Sequence, residues 1–353
     1  MSTESGHINE IDFIEFCFQK ILGRSPDKEG KKYYLNALRS GSLTREEIMI
    51  QLINCEEFES RVTSQEFVPP GHFNSAIPSF EEREAYLCSE PPIVEEILGV
   101  NLNAQKQFDL LKQFKNYHDQ CSFPENKTEI FRYYFSNPSY SYTDALTLYS
   151  MIRHFSPKRI IEIGSGFSSC IILDTNDHYF KSEINLTFIE PYPELFHSLL
   201  KNEEHNYTLI PKRLQDVEKN IFTTLETNDI LFVDSSHVSK LNSDVNMLIF
   251  EILPSLQEGV IIHFHDIFWP FEYSKEWISE GRSWNEAYIL RAFLEFNESF
   301  EIIFFSTYLL DEYRDWFQEN MPLYLKNTGG NIWIRKIKRM RALKCFLRWC
   351  LSK

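Results

Sequence analysis

Apolar positions along the chain change period, and the changes divide it. From Ile8 to Val62 they recur at helical spacing: Ile11, Ile14, Phe18 and Leu22 on one helix, Tyr33, Tyr34 and Leu38 on a second, Ile48, Leu52 and Ile53 on a third. This predicts a small helical domain over residues 1–66. Phe67-Val-Pro-Pro-Gly-His72 reads as a linker, because proline disfavours helix and glycine permits a turn. Helices predicted over Phe80–Leu87, Pro92–Leu98 and Leu102–Tyr117 make residues 67–128 a linker and helical cap. From 129 to 335 short apolar runs alternate with helical patterns. Strands are predicted near Ile160, Leu186, Tyr207, Ile230 and Val260, then over Glu301–Ser306 and Asn331–Arg335, with helices between them, including Leu241–Leu256. That alternation predicts an α/β unit, a mainly parallel sheet covered on both faces. Gly329-Gly330 allows a tight turn into an antiparallel last strand.

The first strand leads into the most informative stretch, Arg159-Ile-Ile-Glu-Ile-Gly-Ser-Gly-Phe-Ser-Ser-Cys170. A buried strand hands over to a turn in which Gly164 and Gly166 let a ligand approach the main chain, and Ser168 and Ser169 suit the start of the next helix. Glu162, just inside the strand end, is placed to order the turn or to meet a cationic ligand. The second strand ends in Glu190-Pro-Tyr, a carboxylate where a ribose diol would lie. Two cofactor classes use such a turn. The dinucleotide fingerprint G-x-G-x-x-G/A fits imperfectly, since its third small position is Ser169.

Glu162-x-Gly164-x-Gly166, Glu190 after the second strand and Gln215-Asp216 after the third resemble a class I S-adenosylmethionine-dependent methyltransferase. Phe188-Ile-Glu-Pro-Tyr-Pro-Glu-Leu195, Asp229-Ile-Leu-Phe-Val-Asp-Ser-Ser-His-Val-Ser-Lys240 and His263-Phe-His-Asp-Ile-Phe268 are similar to its bacterial type 24 branch. The resemblance spans roughly Pro69 to Lys336. It implies a Rossmann-like seven-stranded sheet, with the glycine turn under the donor's methionine part, Glu190 on the ribose and Asp216 on the adenine. The aromatic stretch from Phe131 to Asp144 lies where this superfamily places a lid, so Tyr133, Tyr134, Asn137, Tyr142 and Asp144 are candidates for cofactor or substrate contact. The alternative is that the tyrosines pack the helix layer.

Open parallel sheets bind ligands at the carboxyl ends of their strands. Asp234, Ser235, Ser236 and His237 follow the fourth strand, and His263, His265 and Asp266 close the fifth. Strand alternation directs His263 and His265 to one side. Methyl transfer to a hydroxyl requires loss of its proton, for which His237 and His265 are the natural bases near neutral pH. A divalent metal, magnesium or manganese, held by Asp234, Asp266 and His237, would do the same by lowering the hydroxyl pKa. His263 reads as a buried, hydrogen-bonded histidine. The long connection Ile267–Ser283 carries Trp269, Phe271, Tyr273, Trp277 and Arg282. It reads as a substrate wall, with Arg282, Asn285 and Trp269 as substrate contacts.

Hydrophobic and charged fractions of 43% and 25% are those of a soluble globular protein. A net charge of −15 argues against a nucleic-acid partner. Seven scattered cysteines without a C-x-x-C pair suggest reduced thiols and a cytoplasmic setting. No apolar run approaches the length of a membrane span. Residues 336–353 are basic, and Ile337, Met340, Leu343 and Leu347 recur at helical spacing, so an amphipathic tail docked on the domain or touching a membrane peripherally is expected. Leu22-Gly-Arg-Ser-Pro-Asp27 with Gly30 resembles a bacterial domain of unknown function related to phycobilisome-linker repeats, which implies an interaction module with a protein partner. An Arg24–Asp27 ion pair or two solvated charges fit its loop equally. The leading reading is a methyltransferase acting on oxygen of a small molecule or glycan intermediate. The alternative is a non-catalytic scaffold that keeps the fold.

Overall fold

The computed structural model of the protein describes residues 9–58, 67–90, 94–200 and 206–337. The chain divides into two compact units between Tyr86 and Leu87. In the first, α1 (Glu10–Cys17) continues through a π turn, Phe18–Leu22, and is followed by α2 (Lys28–Ser40) and α3 (Arg45–Ile53). Polar side chains start each helix. The Asp27 carboxylate accepts from Gly30 N at 2.8 Å, and Thr44 and Glu47 cap each other's backbone N–H. Phe13, Ile14, Cys17, Phe18, Leu22, Ile48 and Leu52 form the core. Ile11, Tyr33 and Ile53, expected to face inward, are exposed; on α1 the inner face is taken by Phe13, Ile14 and Cys17. Arg24 pairs chiefly with Glu57, at 2.5 and 2.6 Å, and lies 3.7 Å from Asp27. Both partners are largely exposed, so the pair contributes little. The helix α4 (Phe80–Cys88) spans the division.

The second unit holds α5 (Ala104–His118), α6 (Tyr142–Phe155), β1 (Arg159–Ile163), α7 (Phe167–Phe180), β2 (Asn185–Ile189), α8 (Glu194–Leu199), β3 (Tyr207–Ile210) and β4 (Ile230–Val233). A broken helix follows, Asp244–Met247, a π turn Leu248–Ile252 and Leu253–Ser255, then β5 (Ile261–His265), α9 (Lys275–Ser279) and α10 (Glu286–Leu294). The unit closes with β6 (Phe300–Phe305), α11 (Ser306–Glu312), α12 (Arg314–Asn320) and β7 (Asn331–Lys336). The seven strands form one sheet in the order β3-β2-β1-β4-β5-β7-β6, with helices on both sides. The first five are parallel, and β7 runs antiparallel between β5 and β6. This is the expected Rossmann-like sheet.

Two helix expectations change. Residues 94–98 form turns rather than a helix, since only Ile97 is buried, Leu98 is exposed and Gly99 reverses the chain at φ +81°. The helix expected from Leu241 begins at Asp244, where Ser243 caps it and Leu241 stays in solvent. The basic tail from Lys338 onward lies outside the described residues, as do residues 59–66 of the N-terminal domain.

The aromatic segment before α6 is pinned to α7. Asp174, fully buried, accepts from the backbone N–H of Arg132 and Tyr133, both at 2.9 Å, and pairs with the Arg132 guanidinium at 2.6 Å. Asn137 bonds the carbonyls of Tyr134 and Tyr140 and the N–H groups of Ser139 and Tyr140. Tyr133 donates its hydroxyl to Tyr140 O. These bonds make Tyr133 and Asn137 braces of the segment, and they carry Tyr140 to the end of the sheet.

Candidate active site

Three strand ends are tied together first. Gly164 N donates to Ile189 O at 3.0 Å and Asp234 N to Ile163 O at 2.9 Å, which joins β1 to β2 and to β4. Glu190 then spans the turn, accepting from Ser165 N at 3.0 Å and Tyr192 N at 2.8 Å. Glu162 is fully buried, and burial pushes its carboxyl up to about 8. It accepts from the Ser169 hydroxyl, whose oxygen in turn accepts from Gly166 N at 3.1 Å. Glu162 therefore orders the glycine turn. A Cβ on Gly166 would meet only Leu195, at 3.6 Å, so this side of the turn is open for a ligand to approach. Asp216 follows β3, where Arg213 engages its exposed carboxylate at 2.9 and 3.2 Å.

Beside this cradle the ends of β4 and β5 bring ionisable groups together. Ligand atoms of Asp234, His237 and Asp266 all lie within 4.8 Å of one another. His237 Nε2 is 3.3 Å from Asp234 and 3.5 Å from Asp266, and its Nδ1 is 2.9 Å from the fully buried Glu286. His265 Nδ1 lies 3.6 Å from Asp234 and 3.4 Å from Asp266, outside hydrogen-bond geometry, while its Nε2 is 3.7 Å from Asp144. His237 and Asp266 both adopt left-handed backbone angles, φ +59° and +57°, which are uncommon for residues with a side chain and concentrate at functional sites.

The charges sort themselves by contact. Burial lowers the affinity of His237 for a proton, but hydrogen bonds to Asp234 and Glu286 outweigh it and raise the imidazole to about 10. Burial is likewise outweighed at His265 by Asp266 and Asp234, so its proton is held well above the usual range. Burial would raise Asp234, yet the two histidines keep it well below the usual carboxylate range, whereas burial leaves Asp266 raised. These contacts favour the protonated His237 ring, whereas a base near neutral pH uses the unprotonated one. A raised histidine stabilises the fold fully below its unfolded pKa of about 6.5, and that stability is lost as pH climbs through about 10. Chelated wild-type protein should lose urea resistance over that window, and His237→Gln should flatten the slope. Equal slopes would count against the assignment.

His263 shares a side of β5 with His265 but sits inside, its ring stacked 3.9 Å from Phe232. It is fully buried as expected, yet its ring nitrogens make no hydrogen bond among the described residues, and burial holds it neutral. Asp144 is anchored by Gly330 N at 3.0 Å and Asn331 Nδ2 at 2.7 Å, which fixes the turn into β7. Tyr142 directs its hydroxyl to Glu125, away from the cluster. Tyr140 reaches the cluster, its ring 5.1 Å from His265 and its buried hydroxyl without a hydrogen bond among the described residues.

The connection after β5 makes the outer wall. Trp284 packs 4.3 Å from the His237 ring, and the Arg282 guanidinium lies 4.4 Å from Trp277 and 4.8 Å from Trp284 while binding Glu280. Asn285 clamps Ser239, accepting its N–H at 2.6 Å. Trp269 packs instead on Phe305 and Tyr308. Sequence reasoning missed Glu286, Trp284 and Tyr140. The stretch Trp284-Asn-Glu-Ala-Tyr288 shows an acid at a helix start, but its partner is distant in the chain.

Residues 161–267 match the family model of a methyltransferase domain, and residues 2–62 that of a domain of unknown function, DUF4214. An uncharacterized protein of Archaeoglobus fulgidus is 37% identical over 166 residues, 46% of this chain and 75% of that protein. Among solved structures, the O-methyltransferase TomG of Streptomyces achromogenes, involved in tomaymycin synthesis, matches at 14% identity and a TM-score of 0.35, covering 65% of this chain and 90% of that one. A DUF574 family protein of Streptomyces avermitilis matches at 12% identity and a TM-score of 0.35, covering 55% and 80%.

Proposed function

We propose that the chain, whose residues 161–267 match a methyltransferase domain, is an S-adenosylmethionine-dependent methyltransferase that methylates an oxygen of a small molecule or glycan intermediate with the help of a divalent cation. The observation that carries this reading is the Asp234, His237 and Asp266 cluster at the strand ends next to the open glycine turn. The residues fit both groups. Gly166, Glu190 and Asp216 line the ends of β1 to β3 where the donor would lie. Two carboxylates and an imidazole form a mixed donor set, in which the carboxylates suit magnesium or manganese and the imidazole suits a first-row transition cation. Such a cation would lower the pKa of an acceptor hydroxyl and orient it. In this reading His237 is a ligand rather than the base, which accords with a nitrogen that the acids keep protonated when no cation competes. Arg282 with Trp277 and Trp284 supports a hydroxyl-rich or anionic acceptor, since aromatic faces and a guanidinium suit sugar rings and carboxylates.

Titration calorimetry with S-adenosylhomocysteine, in manganese, magnesium or chelator, is the direct test. Binding is expected in all three, and none by folded protein would overturn the donor assignment. Gly166→Arg should abolish binding by filling the cradle, while His237→Ala should retain it and stop turnover of an acceptor found by screening. The scattered thiols support a cytoplasmic setting. Exposed Ile11, Phe16, Tyr33, Ile50 and Ile53 support a protein-binding role for the N-terminal unit.

A further inference from the structure

Glu286 belongs to no strand end, yet it is fully buried and both its oxygens are engaged. One accepts from the Ser235 hydroxyl at 2.8 Å and the other meets His237 Nδ1 at 2.9 Å. The backbone repeats the grip: the N–H groups of Asn285 and Glu286 both reach His237 O at 3.1 Å, and His237 N donates to Ser235 Oγ at 2.9 Å. With a carboxylate on Nδ1, the ring's other nitrogen, Nε2, is the one that faces Asp234 and Asp266. A second observation points to the same space. His265 is nine-tenths buried, and its Nδ1 is aimed at the same two carboxylates without a hydrogen bond.

We infer that Glu286 is a positioning residue that fixes His237 as an Nε2 metal ligand, and that the resulting imidazole-containing site takes a first-row transition cation of the manganese type in preference to magnesium. The inference rests on the metal-assisted reading above. Ligating histidines are commonly held through their other nitrogen by a carboxylate, which sets the tautomer and strengthens the ligand. Magnesium favours an all-oxygen shell and keeps several waters, whereas an imidazole in the ligand set favours first-row transition cations, the series in which manganese binds most weakly and therefore tests the preference most stringently.

The experiment is manganese titration of the full-length protein by electron paramagnetic resonance, with pulsed measurement of nitrogen coupling. Wild type should bind manganese, show imidazole nitrogen coupling that His237→Gln removes, and keep its metal against a tenfold excess of magnesium. Glu286→Gln should weaken manganese binding by about 10- to 100-fold, while S-adenosylhomocysteine affinity stays near wild type. Wild type that binds S-adenosylhomocysteine but no manganese would overturn the metal-assisted reading and this inference together. Manganese bound without nitrogen coupling, or as tightly by Glu286→Gln as by wild type, would overturn the positioning role alone. Displacement by equimolar magnesium would overturn the selectivity. If Glu286→Gln does not fold, the wild-type nitrogen coupling and its loss in His237→Gln decide the ligand assignment, and the same titration of Glu286→Asp, whose shorter carboxylate withdraws from Nδ1, decides the positioning role.

Discussion

Gly164→Ala should lower the melting temperature by about 4–20 °C and abolish S-adenosylhomocysteine binding in whatever protein remains folded. The position holds φ +80°, where a side chain costs about 1–2 kcal/mol. A Cβ there would lie 2.2 Å from the carbonyl oxygen of Asp234, and backbone displaced in a packed core adds about 1–3 kcal/mol. At roughly 2–4 °C per kcal/mol for a domain of this size, the sum gives the stated range. Relief is blocked on both sides, because Asp234 N is bonded to Ile163 O and Gly164 N to Ile189 O. Any shift therefore moves the Asp234 carboxylate and the glycine turn together. Gly166→Ala is the control. Its new methyl group would meet only Leu195, at 3.6 Å, so the fold should persist. A Gly164→Ala protein that melts within about 2 °C of wild type would show that the turn tolerates what its geometry forbids.

The same residues show why part of the site was legible in the sequence and part was not. Each parallel strand is a short apolar run, and all five residues of β5 are buried, so its period and ends can be read directly. Gly164, Glu190, Asp234 and Asp266 sit at run ends, where topology alone brings them to one edge of the sheet. Glu286 escapes that logic, since it meets His237 across 49 residues of chain and a connection whose path no local pattern specifies. Tyr140 is a matter of two residues. The segment is aromatic throughout, and only the bonds of Asp174 and Asn137 decide that Tyr140, and not Tyr142, faces His265. The helix expected over Pro92–Leu98 fails, among its described residues, for the opposite reason: apolar spacing imitates a helix where Ile97 is buried, Val94 is only partly covered and Leu98 is exposed. The protonation of His237 was also beyond sequence, because composition shows a histidine near acids but not that Glu286 is buried against its ring.

Asp234→Asn should have the largest effect on activity, a fall of about 10²- to 10⁴-fold in turnover, the range expected when activation of the attacking hydroxyl is lost. Asp234 lies 3.3 Å from His237 Nε2 and 3.6 Å from His265 Nδ1, as Asp266 lies 3.5 and 3.4 Å from them, but it is the Asp234 carboxyl that the two histidines hold depressed. Asparagine keeps the shape but removes the charge that both imidazoles and a cation share, so manganese binding should be lost as well. A pH signature needs no acceptor. Burial alone would raise the Asp234 carboxyl, but the histidines hold it well below its usual range. A depressed carboxyl stabilises the fold above its unfolded pKa of about 3.9, and that contribution disappears as pH falls toward the folded value. Wild-type stability should therefore drop more steeply than that of Asp234→Asn below about pH 4 in urea unfolding. Parallel acid limbs would mean that Asp234 is not the charge holding the histidines. Unchanged manganese affinity in the variant would remove it from the ligand set and leave only His237 and Asp266, 3.5 Å apart, to hold the cation.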